Sequence, residues 1–136
     1  MLFRSVRADN RASNLQAAST QRAQASAVRA ALGAPGHQVV ALDSPSGVAL
    51  ARFVVVPDGR GYLLSSHLPA LADDRTYQLW AIIQKKPISL GLLGSAPRQA
   101  TFTMASSAAT TALAITAEPA GGAVAPTSPI LATGTV

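Results

Sequence analysis

The 136-residue chain contains no cysteine. That absence excludes disulfides, thiolate metal sites and cysteine nucleophiles together. It leaves the compartment open, because a chain without cysteine suits either side of a membrane. Aromatic residues make up only 4 % and charged residues 12 % of a chain that is 49 % hydrophobic, so any core is built mainly from alanine, valine and leucine. The low charge is not the acidic, solvating composition of a disordered segment. No run approaches the roughly 18 consecutive apolar residues that a membrane span requires. The opening Met1-Leu2-Phe3-Arg4-Ser5-Val6-Arg7 reaches its arginines before any apolar segment of a signal peptide can form. The chain is therefore either a cytosolic protein or a piece of something longer.

Catalytic groups are equally sparse. The two histidines are His37, in a loop, and His67, at the end of a strand-like run. Both read as exposed loop residues. Many serines are present, but no Gly-x-Ser-x-Gly elbow singles one out as a nucleophile. Asp73 and Asp74 are adjacent in a loop, a turn or solvated cap rather than an acid/base pair on facing elements. The remaining acids are scattered, without metal-ligand spacing. Gly91-Leu92-Leu93-Gly94 and Gly121-Gly122 match neither the P-loop nor the dinucleotide fingerprint. The sequence thus predicts no enzyme, no cofactor and no metal site.

What is present divides the chain in two. Residues 2–32 hold no proline or glycine and are rich in alanine, glutamine and arginine, all good helix formers. Gly33-Ala34-Pro35-Gly36 gives the stop, with Gly33 where a left-handed C-cap belongs. One face carries Leu15, Ala18, Ala25 and Leu32, interrupted at heptad spacing by Arg22 and Arg29. So thin a stripe predicts a stalk over residues 1–34 that packs little on its own body and pairs weakly with a second copy. This arm is basic, with Arg4, Arg7, Arg11, Arg22 and Arg29 against Asp9 alone; the remainder is nearly neutral.

From residue 36 to 136 the pattern is β. Runs at 38–42, 48–56, 62–66, 76–84, 88–92, 98–104, 110–118 and 129–133 alternate with turn signals every 8–12 residues. Asp58-Gly59 supplies a hairpin turn, and Lys85-Lys86-Pro87 a second. About eight short strands without an intervening helix predict an antiparallel β-sandwich preceded by one helical stalk. Tyr77 and Trp80 fall on opposite faces of the strongest strand, so at least one ring enters the core.

Two segments carry a family pattern. Tyr77-Gln78-Leu79-Trp80 is followed by Pro87-Ile88-Ser89-Leu90-Gly91; later comes Glu118-Pro119-Ala120-Gly121-Gly122, then Pro126-Thr127-Ser128-Pro129. In order and spacing they resemble the C-terminal domain of anti-sigma-K factors, over roughly residues 37–134. The resemblance implies structural roles for Tyr77, Leu79, Trp80, Pro87, Ser89, Leu90, Gly91, Glu118, Pro119, Gly121, Gly122, Pro126, Thr127 and Pro129. In that reading Glu118 accepts backbone N–H groups in a turn.

The same resemblance implies an extracytoplasmic domain of a single-pass bacterial membrane protein. A separate cytoplasmic N-terminal domain would hold an extracytoplasmic-function (ECF) sigma factor, and a site-1-type protease would cut at the stalk to begin release. This chain includes neither the sigma-binding domain nor the span, so it is expected to begin just after the span and not to bind a sigma factor itself. A basic stretch outside the membrane runs against the positive-inside tendency, which a more basic cytoplasmic flank would override. Two rivals stand beside this reading. One is a β-sandwich binding a cell-envelope component through Trp80 or Tyr62 in an exposed patch. The other is a nucleic-acid-binding protein with a basic arm. Against the latter, Phe53, Phe102, Tyr62, Tyr77 and Trp80 are not interleaved with arginine, and no nucleic acid is expected.

Overall fold

A computed structural model describes residues 21–104 and 109–136. A helix, α1 (residues 21–32), precedes eight strands: β1 (Gln38–Asp43), β2 (Ala49–Val55), β3 (Arg60–Ser66), β4 (Arg75–Ile83), β5 (Lys86–Gly94), β6 (Thr101–Thr103), β7 (Thr110–Pro119) and β8 (Ala132–Thr135). They form one antiparallel sheet in the order β5-β4-β7-β8-β1-β2-β3-β6. Its two outer strands, β5 and β6, approach one another, so the sheet is rolled and nearly closed. The interior of the expected sandwich is the inside of this roll.

Alternation builds that interior. Val40 and Leu42 of β1, Phe53 of β2, Leu63 of β3, Leu79 of β4 and Leu113 and Ile115 of β7 share one buried cluster. Phe53 meets Phe102 of β6 edge to face, with centroids 5.5 Å apart and planes at 77°, a favoured aromatic geometry. Phe102 lies over Gly61, its partner across β3 and β6, where an added Cβ would stand 2.1 Å from a ring carbon.

Turn chemistry sets the register. Gly59, at φ 96°, completes the β2–β3 hairpin, donating its N–H to the Val56 carbonyl at 2.9 Å. The β4–β5 turn differs from expectation. It is made by Gln84 and Lys85, at φ 51° and 67°, while Lys86 and Pro87 already belong to β5. Pro87 is tolerated because β5 is an edge strand. The last strand is also displaced: Pro129 and Ile130 precede it, and β8 begins at Ala132.

The helix differs more. Gly33 and Gly36 do mark its end, but the left-handed residue is Gly36, at φ 77°, rather than Gly33. The apolar stripe read from the sequence is not the packing face: Ala25 is exposed, Leu32 is 39 % exposed, and Leu15 and Ala18 lie outside the described residues. Instead Ala31 is buried against Val54 and Val56 of the β2–β3 hairpin, with Tyr62 and Leu64 beside them. About two helical turns earlier, Gln24 Nε2 donates to the Ala100 carbonyl at 3.3 Å. The end of α1 is thus docked on the outer face of the sheet through small residues that a hydrophobicity pattern understates.

Candidate functional site

The outer face of β4 and β7 is where the paired motifs meet. Thr76, Gln78 and Trp80 alternate outward from β4, opposite Glu118, Thr116 and Ala114 of β7. An outward face would ordinarily be wet. Here it is dry: Gln78 is 2 % exposed, and Trp80, Thr116 and Glu118 are completely buried. The cover is the connection between β7 and β8, residues 120–131, which doubles back across the strands as a strap.

Gly121 and Gly122, at φ 93° and 81°, make the reversal that sends the strap back. Side chains would strain at both positions. The strap is then fastened at three points. Gln78 forms a two-way amide clasp with Ala123, its Nε2 donating to the carbonyl at 3.0 Å and its Oε1 accepting the N–H at 2.9 Å. The same Nε2 donates to Ser89 Oγ of β5 at 2.7 Å. Ser128 Oγ donates to the Ala117 carbonyl at 2.6 Å. Glu118 provides the third fastening. Its carboxylate accepts the Thr127 N–H at 3.1 and 3.2 Å, and the Thr127 hydroxyl donates to it as well.

A polar relay runs inward from that carboxylate. Trp80 Nε1–H donates to Thr116 Oγ1 at 2.8 Å, and the Thr116 hydroxyl donates to Glu118 Oε2 at 2.5 Å. Burial pushes the Glu118 carboxyl up. The Thr116 and Thr127 hydroxyls, the Thr127 N–H and the Arg75 charge together outweigh it, holding the group below its ordinary value. Glu118 is therefore a buried anion whose ligands are all protein donors. Among the described residues no buried side-chain nitrogen or oxygen lacks a partner. Such a network fixes geometry and leaves no reactive group over.

The motif residues separate into two sets. Trp80, Ser89, Glu118, Gly122, Pro126 and Thr127 come together around the strap, and Pro87 lines a shallow cleft with Trp80 and Pro126. Tyr77, Leu79 and Leu90 face the interior instead. Pro119, Gly121 and Pro129 are exposed, and Gly91 sits in β5 at φ 143°. Both rings of β4 prove buried, Tyr77 inside the roll and Trp80 outside it, under the strap. A ligand-binding patch built on exposed Trp80 is thereby ruled out, and Tyr62 is half-covered by α1. Sequence reasoning missed Gln78, Thr116 and Ser128. Thr116 was within reach, since it alternates with Glu118 on one strand face; the Gln78 contacts span 45 positions and carry no local signal.

Of the histidines, exposed His37 contacts the Ala34 carbonyl through Nδ1 at 2.8 Å, and His67 is exposed. Among the described residues, no helix is long and apolar enough to cross a membrane.

The family model described as anti-sigma-K factor rskA, C-terminal, matches residues 4–136. The match reaches well into the N-terminal arm, beyond the β part that carries the motifs. No curated protein and no solved structure matches the chain.

Proposed function

The chain belongs to the family of anti-sigma-K factor C-terminal domains, and from that premise we propose that it is the extracytoplasmic regulatory domain of a membrane-bound anti-sigma factor. Membership brings a role in transcription regulation and a sigma factor as partner. The finer reading is that the sigma factor is of the ECF type. It would be held by a cytoplasmic domain elsewhere in the full-length protein and released by regulated intramembrane proteolysis.

In this reading residues 1–34 are the membrane-proximal stalk, where a site-1-type protease makes the first cut, and residues 36–136 are the β domain. The observation that carries it is the family match over residues 4–136, because it spans arm and body together. Trp80, Glu118 and Thr127 among the motif residues fasten a strap through a hydrogen-bond network in which, among the described residues, no buried side-chain polar atom lacks a partner, which supports a structural role for them. The exposed Ala25 and Leu32 leave a narrow face through which two helices could pair weakly.

Reporter fusions after Val136 of the full-length protein test the placement. Alkaline phosphatase should be active there and β-galactosidase inactive. The reverse pattern would put the domain in the cytoplasm and end this reading.

A further inference from the structure

At one end of the roll the interior opens. A cleft of about 630 Å³ lies between the β1–β2 turn, the β3–β4 connection and the end of the strap. Its walls are Leu50, Leu68, Leu71, Ile130 and Leu131, and the Tyr77 ring stands among them. Four of these leucines pack directly on the buried core. Volume, apolar lining and position at a barrel mouth are those of small-molecule sites.

The polar atoms at this mouth are nearly all spent. Tyr77 donates its hydroxyl to the Pro69 carbonyl at 2.5 Å. Ser44 Oγ pairs with Ser46 Oγ at 2.8 Å and accepts the Val48 N–H at 3.2 Å. The exception is Arg75, which shares the inward face of β4 with Tyr77, two residues on. One N–H of Arg75 donates to the Ala117 carbonyl at 2.8 Å, which anchors the side chain. Arg75 forms no ion pair within 4.0 Å among the described residues. A guanidinium carries five donors, so an anchored one at an apolar opening retains donors for an anion. No acidic side chain lines the cleft.

We propose that this cleft binds a free long-chain carboxylate, with its alkyl chain among Leu50, Leu68, Leu71 and Leu131 and its carboxylate on Arg75. A peptide fits worse, because its backbone amides would enter a cleft whose polar atoms are already paired and would be left unsatisfied. An alkyl chain brings no such groups. A cationic amphiphile would meet the Arg75 charge with repulsion. The site adjoins the strap network, sharing the Ala117 carbonyl and the Arg75 charge with it, and does not depend on the anti-sigma reading.

The test uses the purified chain and sodium dodecanoate below its micellar concentration, followed by amide chemical shifts and calorimetry. Saturable binding should move the resonances of Leu50, Leu71 and Leu131 and leave β5 unchanged. Dodecyltrimethylammonium should bind at least about tenfold more weakly, from the loss of a charge-assisted contact. Arg75→Gln should weaken dodecanoate by a similar factor. If that variant fails to fold, the head-group comparison on the unaltered chain still decides. Equal affinity for the two head groups, shifts centred on Ile88 and Leu92, or absence of saturation would each overturn the proposal. Binding only to phosphatidylglycerol vesicles, with none to monomeric dodecanoate, would overturn it too.

Discussion

The Thr127 backbone nitrogen lies 3.1 and 3.2 Å from the two carboxylate oxygens of Glu118, nine positions earlier, so that a single side chain closes the loop between them. The carboxylate also receives two hydroxyls, from Thr116 and Thr127. Glu118→Gln should therefore lose about 1.5–3 kcal/mol of stability, because an amide replaces one acceptor with a donor facing other donors. Urea unfolding of the variant checks this. An unchanged midpoint would mean that the clasp is incidental.

The same carboxylate sets a pH dependence. Its pKa in the folded chain lies below its ordinary value, so its contribution is fully present above the unfolded-state pKa. It is lost as pH falls through the lower, folded-state value. Stability of the wild type should decline on acidification more steeply than that of Glu118→Gln. Parallel decline in the two would assign the acid sensitivity to other groups.

Trp80 offers an optical readout, being the only tryptophan. Completely buried under the strap, it should emit at short wavelength and resist acrylamide. Replacing Gln78 with alanine cuts the Ala123 clasp, and should shift emission to the red with increased quenching while far-ultraviolet dichroism stays β-type. Emission insensitive to the loss of Gln78 would show that the strap holds without it.

Much of the body was legible in the sequence. The alternation of Tyr77, Leu79 and Ala81 against Gln78, Trp80 and Ile82 locates β4, and the β2–β3 turn follows from Asp58-Gly59. What local pattern could not show is that β4 is buried on both faces, since the cover over Gln78 and Trp80 comes from residues 120–131. Gln78 alternates outward like any solvated polar residue, and only its partners at Ser89 and Ala123 account for its burial. The Gln84–Lys85 turn escaped for the opposite reason. Its left-handed angles fall on residues that rarely adopt them, so hairpin geometry overrides preference there. At the end of α1 the small side chain of Ala31 docks while the larger Leu32 does not, which inverts a reading that weights residues by hydrophobicity.

The Phe102–Gly61 contact makes a packing prediction. Gly61→Val would place a side chain where even a Cβ comes within 2.1 Å of the ring. A loss of about 2–3 kcal/mol is expected from overpacking, read as a lower thermal midpoint. Near-wild-type stability would require Phe102 to move aside without cost.

Docking of α1 through Ala31 can be broken without touching the body. Ala31→Arg should detach the helix from Val54 and Val56 and speed tryptic cleavage after the exposed Arg22 and Arg29, because proteolysis follows local opening. The fragment after residue 36 should persist. Unchanged cleavage at both arginines would show that the docked end does not protect the helix.

The most direct measurement is transcription from a promoter served by the cognate sigma factor, in cells making the full-length protein with or without residues 36–136. Loss of the β domain should fix the output at one level, independent of the inducing condition, while the sigma factor remains present. Output that keeps both its level and its inducibility without residues 36–136 would contradict a regulatory role for this domain.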